Sequence, residues 1–209
     1  LQIVYGYAGM LYDGDLGPTT ATQREVLDHI IRRSKAIEQM TQDIMAAGPI
    51  SRESLQLGPV NLSELCTQVV NSARVIHRNR PGLTFQLDLE CEALTVEGDY
   101  NRLTRVLDNL IGNAVKFSPD GGTITVRLRT DETAHCALVS VSDQGVGIAR
   151  EHLPYLFERF YRAHRGRFGG SGLGLYNVQQ IIQAHHGQVW VESEEGRGST
   201  FTFSLPLPR

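Results

Sequence analysis

Apolar residues recur at helical spacing over the first dozen positions, where Val4, Tyr7, Ala8 and Leu11 share a face, and the turn-rich DGDLGPTT that follows ends the helix they predict. A second helix is expected from Thr22, three residues before Glu25 in a capping-box pattern, to about Ala47, with Ile30, Ile37 and Ile44 seven apart. Two such helices form an antiparallel hairpin too thin to bury its own stripes. A second copy of the chain, completing a four-helix bundle, is the expected partner; packing on a neighbouring domain is the alternative. The stretch AAGPISRESLQLGPV has two Gly-Pro steps and reads as a linker, so the expected division is 1–47 hairpin, 48–60 linker and 61–209 a second domain.

Beyond the linker the pattern becomes mixed. Asn61 and Glu64 form another capping box ahead of Leu62, Leu65, Val69, Ala73 and Ile76. Alternation in LTFQLDL, TITVRLR and ALVSVSD predicts half-buried strands, and QVWVES and STFTFSL on either side of EEGRG predict a hairpin. Helices interleaved with strands that read as antiparallel indicate an α+β fold, a two-layer α/β sandwich with one face of the sheet covered.

Composition narrows the function only by exclusion. The net charge of -3 gives no global attraction to nucleic acid, no apolar run approaches the roughly 20 residues of a membrane span, and no signal-peptide pattern opens the chain. The expectation is a soluble, cytoplasmic piece of a longer protein, with no nucleic acid partner and no membrane contact. Cys66, Cys91 and Cys136 are widely spaced, without a C-x-x-C pattern, and read as reduced packing residues.

The candidate chemistry begins on the helix predicted over 102–117. At about 100° per residue, Leu103, Val106, Leu107, Leu110 and Ala114 form one face, and Arg102, Arg105, Asn109, Asn113 and Lys116 fall in a stripe along its flank. Such polar residues are ordinarily solvated, but a carboxamide oxygen also suits Mg²⁺ when phosphates supply the charge, and a lysine suits the phosphates themselves. Asp143 ends a predicted strand and is followed by Gly145 and Gly147, an arrangement that presents a carboxylate to an exocyclic amine or simply makes a turn. Gly169, Gly170, Gly172 and Gly174 lead into another helix, whose N-terminus is suited to phosphate. Their spacing fits neither G-x-G-x-x-G nor a Walker loop. Between the glycine clusters, FERFYRAHRGRFGG carries Arg159, Arg162, Arg165 and Arg167 and reads as a basic lid anchored by Phe157, Phe160 and Tyr161. His185 and His186 read as helix-end residues beside the negative pole of the dipole.

In order along the chain, N-L-x-x-N-A-x-K (Asn109 to Lys116), D-x-G-x-G (Asp143 to Gly147), FERFYR (Phe157 to Arg162) and GSGLGL (Gly170 to Leu175) resemble the N, G1, F and G2 boxes of sensor histidine kinases. The resemblance covers about residues 61–207 and implies the Bergerat ATP-binding fold. Residues 1–47 resemble, less specifically, the dimerisation hairpin. It implies ATP and Mg²⁺ as ligands, with Asn113 on the metal, Asn109 on the same side, and Lys116 and Arg162 attending the polyphosphate. Asp143 would hold the adenine amine, with Phe117, Gly145, Gly147 and Ile148 around the base. Gly170, Gly172, Leu173 and Gly174 would close over the nucleotide, with Ser199 and Thr200 beside it. The implied partners are a second copy of the chain and a response regulator receiver domain.

ATP-hydrolysing relatives of this fold resemble one another in carrying glutamate where this chain has Asn109, and a carboxamide takes no proton at neutral pH. Transfer of the γ-phosphoryl group to an imidazole is therefore expected, rather than hydrolysis. None of the seven histidines lies in the family's H-[DE]-x-x-x-P context. By the resemblance Leu1 would follow that motif's proline, so the expected fragment binds ATP but does not phosphorylate itself. A nucleotide-binding pseudokinase or dimerisation scaffold, and an ATPase or serine kinase of the same fold, are the alternatives.

Overall fold

The computed structural model describes residues 2–46, 52–91, 93–164 and 168–208. They fall into two compact units, 1–48 and 49–209. The first holds helices α1 (Gln2–Asp13) and α2 (Ala21–Ala46). The capping box of α2 lies two residues before the expected pair: Thr20 N–H donates to Gln23 Oε1 (2.8 Å) and Gln23 N–H to Thr20 Oγ1 (3.2 Å). Ala8 and Ser34 are buried in the hairpin, whereas Val4, Tyr7, Leu11, Val26, Ile30 and Ile37 stay exposed. The side chain of Ile44 lies outside the described residues.

The second unit comprises β1 (Gly58–Asn61), α3 (Leu62–Ile76), β2 (Leu83–Leu89), β3 (Thr95–Gly98), α4 (Tyr100–Phe117), β4 (Gly122–Asp131), β5 (Cys136–Ser142), α5 (Gly174–Ala184), β6 (Val189–Glu194) and β7 (Gly198–Pro206). Residues 58–60, expected as linker, belong to this unit. Strand β1 pairs antiparallel with β3, which buries Val60 against Val96. Linker residues 47–51 lie outside the described residues. A five-stranded sheet in the order β2-β4-β5-β7-β6 forms the main layer. The expectation of antiparallel pairing holds except at one edge, where β2 runs parallel to β4 because the chain crosses over through β3 and α4 between them.

One face of the sheet offers Ile124, Val126, Leu128, Ala137, Val139, Val141, Phe201, Phe203 and Leu205 to the core beneath α3, α4 and α5. Most alternate residues on the other face are polar, with Ser142 Oγ 2.8 Å from Thr200 Oγ1 and Asp88 bonded to Arg127 and Arg129. Helix α4 buries Leu103, Val106, Leu107, Leu110 and Ala114 as the wheel predicts, and also Ile111 and Val115. Each fully buried leucine of this set stabilises the fold by about 2 kcal/mol. Asp99 caps the helix by accepting Arg102 N–H (3.1 Å), and Ser118-Pro119 stops it, since the residue before proline disfavours α geometry. On α3 the Asn61 carboxamide oxygen accepts Ser63 and Glu64 N–H, but Glu64 completes no box and accepts from Gln68 instead.

Candidate functional site

A cleft of about 150 Å³ lies between the C-terminal half of α4, the loop after β5, residues 161–164, 168 and 170–172, and the start of α5. Asn113, Lys116 and Phe117 enter it from α4, one helical turn apart and on the flank of the buried face. Asp143, Gly147 and Ile148 line it from the loop after β5, and Arg162, Gly170, Gly172 and Gly174 from the opposite side. Ser199 and Phe201 contribute from β7.

Asp143 is 7% exposed, at the end of a core strand. Its carboxylate accepts Gly145 N–H at Oδ1 (2.8 Å). Burial pushes this carboxyl above the usual range, and hydrogen bonds from the Gly145 and Ser199 backbones pull the other way. The result is a buried acceptor with spare lone pairs facing a cleft. The loop that carries it sits hard against its neighbours. A Cβ on Gly145 would stand 2.1 Å from the Phe117 carbonyl oxygen, and one on Gly147, at φ +64, would stand 2.0 Å from that of Glu194.

Lys116 is half-buried, and its ammonium lies 4.6 Å from the Phe117 ring centroid. Burial, and secondarily the charge of Arg162, hold its pKa below the ordinary lysine value. Arg162 donates to the Phe168 carbonyl. Among the described residues, neither cation has a carboxylate within ion-pair distance. Two uncompensated cations in a partly dry cleft favour an anion.

The remaining expected residues are placed differently. Asn109 stands one turn from Asn113; its Nδ2 donates to the Arg105 carbonyl (2.9 Å), and its Oδ1 lies 2.8 Å from where a Cβ on Gly174 would stand. It thus meets the glycine segment at the Gly174 edge of the cleft. Gly145 supports Asp143 from below, and Leu173 is 1% exposed, a core residue at the foot of α5. Thr200 departs from the expected grouping. Period-2 alternation turns it to the opposite face, where its hydroxyl meets Ser142, while Ser199 stays on the cleft side. Arg165 and Arg167 lie outside the described residues.

Sequence reasoning missed His164 and Phe168, which with Phe117 form an aromatic cluster having centroid separations of 5.0 to 5.8 Å. His164 Nε2–H donates to the Gly147 carbonyl (3.0 Å). Their signal was an aromatic and an imidazole inside an otherwise basic run. The segment is tied at its base, where Phe160 N–H donates to the Gly172 carbonyl (2.9 Å).

Residues 98–209 match the family model described as histidine kinase-, DNA gyrase B-, and HSP90-like ATPase. Over 116 residues the chain is 44% identical to sensor histidine kinase WalK of Bacillus subtilis (strain 168), covering 54% of this chain and 19% of that protein. Over 187 residues it is 36% identical to adaptive-response sensory kinase SasA of Synechococcus elongatus (strain ATCC 33912 / PCC 7942 / FACHB-805), covering 88% of this chain and 48% of that protein. The solved structure of full-length ShkA in complex with AMPPNP aligns at a TM-score of 0.76 and 26% identity, over 98% of this chain and 43% of that one. The chain therefore spans about half the length of these relatives, or less.

Proposed function

The chain belongs to the family of histidine kinase-, DNA gyrase B-, and HSP90-like ATPases, and from that premise we propose that it is the catalytic part of a sensor histidine kinase, binding ATP with Mg²⁺ and passing the γ-phosphoryl group to a histidine. The observation that carries this reading is the meeting, in one cleft, of a buried carboxylate, Asp143, with an amide, Asn113, and two cations, Lys116 and Arg162, that have no carboxylate partner among the described residues.

Asp143 accepts the exocyclic amine of adenine, and Phe117 and Ile148 supply apolar contact for the base. Lys116, Arg162 and the N-terminal turn of α5, opened by Gly174 without a side-chain cap, orient the phosphates. Asn113 offers a neutral oxygen, and the described residues hold no cluster of three His, Cys, Asp or Glu side chains suited to a metal. That donor set fits a magnesium ion whose remaining ligands are phosphate oxygens and water. The ion, when bound, would offset charge on the phosphates.

In the transfer the bond between the β–γ bridging oxygen and the γ-phosphorus breaks, a nitrogen–phosphorus bond forms, ADP departs, and the imidazole loses its proton. This chain contributes orientation and charge. Asn109 takes no proton and hydrogen-bonds its own helix, and Asp108 is not among the described residues that line the cleft, so neither is placed to serve water as a general base. None of the seven histidines lies in the H-[DE]-x-x-x-P context, so the acceptor imidazole is offered from outside these 209 residues. A receiver-domain aspartate of a response regulator takes the phosphoryl group next. Exposed Val26, Ile30 and Ile37 on α2 support homodimerisation through the hairpins.

Titration calorimetry with ATP and magnesium, followed by mixing with a fragment that carries the acceptor histidine and labelled ATP, tests the reading. Binding and labelled phosphohistidine are expected. Binding without transfer would favour the scaffold, release of free phosphate the ATPase, and no binding would overturn the assignment of the cleft.

A further inference from the structure

Behind the cleft wall, and not part of it, the hydroxyl of Ser193 on β6 makes three contacts. It accepts Ile148 N–H (2.9 Å), donates to the Gly198 carbonyl (2.8 Å), and lies 2.9 Å from Ser199 Oγ. With its single proton committed to Gly198, Ser193 is the acceptor for the Ser199 hydroxyl. The tip of the β6–β7 hairpin is fastened to the same loop twice more: Asp143 N–H donates to the Ser199 carbonyl (2.8 Å) and Gly196 N–H to the Val146 carbonyl (2.8 Å). A Cβ on Gly198 would stand 2.0 Å from the Asp143 carbonyl oxygen, so the hairpin abuts the residue that presents the carboxylate.

We propose that Ser193 is a positioning residue for base selection, its hydroxyl holding the loop from Asp143 to Ile148 so that the Asp143 carboxylate meets an exocyclic amine in register. The inference rests on the adenine-binding reading of the cleft. Three of the four residues Ser193 joins or supports, Ile148, Ser199 and Asp143, line the cleft, while Ser193 itself does not. Removing the hydroxyl orphans the Ile148 amide, which is buried, and releases one end of the loop from the hairpin. Purine binding then loses the register of the carboxylate but keeps the phosphate contacts on α4 and α5.

The test compares ATP with inosine triphosphate, which lacks the amine, by calorimetry on the full chain and its Ser193→Ala variant at a temperature where both are folded. ATP affinity is expected to fall about tenfold, inosine triphosphate affinity to change little, and Ser193→Thr, which keeps the hydroxyl, to restore the ATP preference. Should alanine impair folding, Ser193→Cys, of nearly the same volume, gives the same comparison. Equal losses for both nucleotides, or an unchanged ATP preference in folded variants, would overturn the inference. Failure of the unsubstituted chain to bind ATP would instead overturn the reading of the cleft and this inference with it.

Discussion

His185 Nε2 accepts the backbone N–H of Asp99 at 2.9 Å, across 86 residues of sequence. The same ring donates through Nδ1 to the Ile181 carbonyl (2.7 Å), while the Asp99 carboxylate caps α4 and accepts the Gln56 N–H (2.9 Å). Both residues are 5% exposed. One neutral imidazole thus pins the C-terminal end of α5 to the N-terminal end of α4, the ends opposite those that line the cleft.

That bond requires an unprotonated Nε2, and burial holds the His185 pKa below its ordinary 6.5. A depressed folded-state pKa contributes stability that is complete above the unfolded value and is lost as pH falls through the folded one. Urea unfolding across acid and neutral pH should show this loss below about pH 6.5, the ordinary histidine value. Replacing His185→Leu should cost roughly 2–4 kcal/mol at neutral pH and reduce the acid dependence; an undiminished acid dependence would assign it to other groups.

For Asp143 the sign is reversed. Its raised pKa means that its contribution is fully present below the ordinary 3.8 and is lost as pH rises through the folded value. Asp143→Asn should therefore raise the thermal midpoint of the ligand-free chain at neutral pH while weakening ATP by roughly 10- to 100-fold, as expected for a hydrogen bond to a charged group. A lowered midpoint would show that the carboxylate is needed for the fold.

Asn113→Ala removes the one carboxamide among the described residues lining the cleft. On the proposed function, phosphohistidine formation on a fragment that carries the acceptor histidine should fall by roughly 10²- to 10³-fold, with a smaller effect on nucleotide affinity. Unchanged turnover would remove the metal role proposed for this residue.

Gly147→Ala forces a side chain into a left-handed backbone and against the Glu194 carbonyl. Unfolding free energy should drop by about 1–3 kcal/mol, and ATP binding should weaken with it. A variant of wild-type stability would mean that the loop relaxes freely, contrary to its many ties to the hairpin.

Much of α4 was legible because a 3.6-residue period separates Leu103, Leu107 and Leu110 from Asn113 and Lys116 without reference to any partner. Strands β1 and β3 were not, since four residues carry too little alternation and Pro59 resembles a linker until Val60 is seen buried against Val96. Thr20–Gln23 and Thr22–Glu25 are overlapping capping patterns, and only the backbone chooses between them. Parallel pairing of β2 depends on a crossover that local sequence does not encode. Thr200 was avoidable: neighbours on one strand cannot both face the cleft. Ser193 and His164 act through partners 45 and 17 residues away, beyond the reach of any local pattern.

The tie between Phe160 and Gly172 joins the two ends of the basic segment at a neck. A Cβ on Gly172, at φ +73, would strike the Phe160 backbone, so the two strands of the neck lie in contact. A change in the length of chain between those two ends need not pull on α5 or the sheet below. Because closure entropy grows only with the logarithm of contour length, residues inserted into or removed from the chain between Phe160 and Gly172 should alter ligand capture while leaving the unfolding of the domain almost untouched.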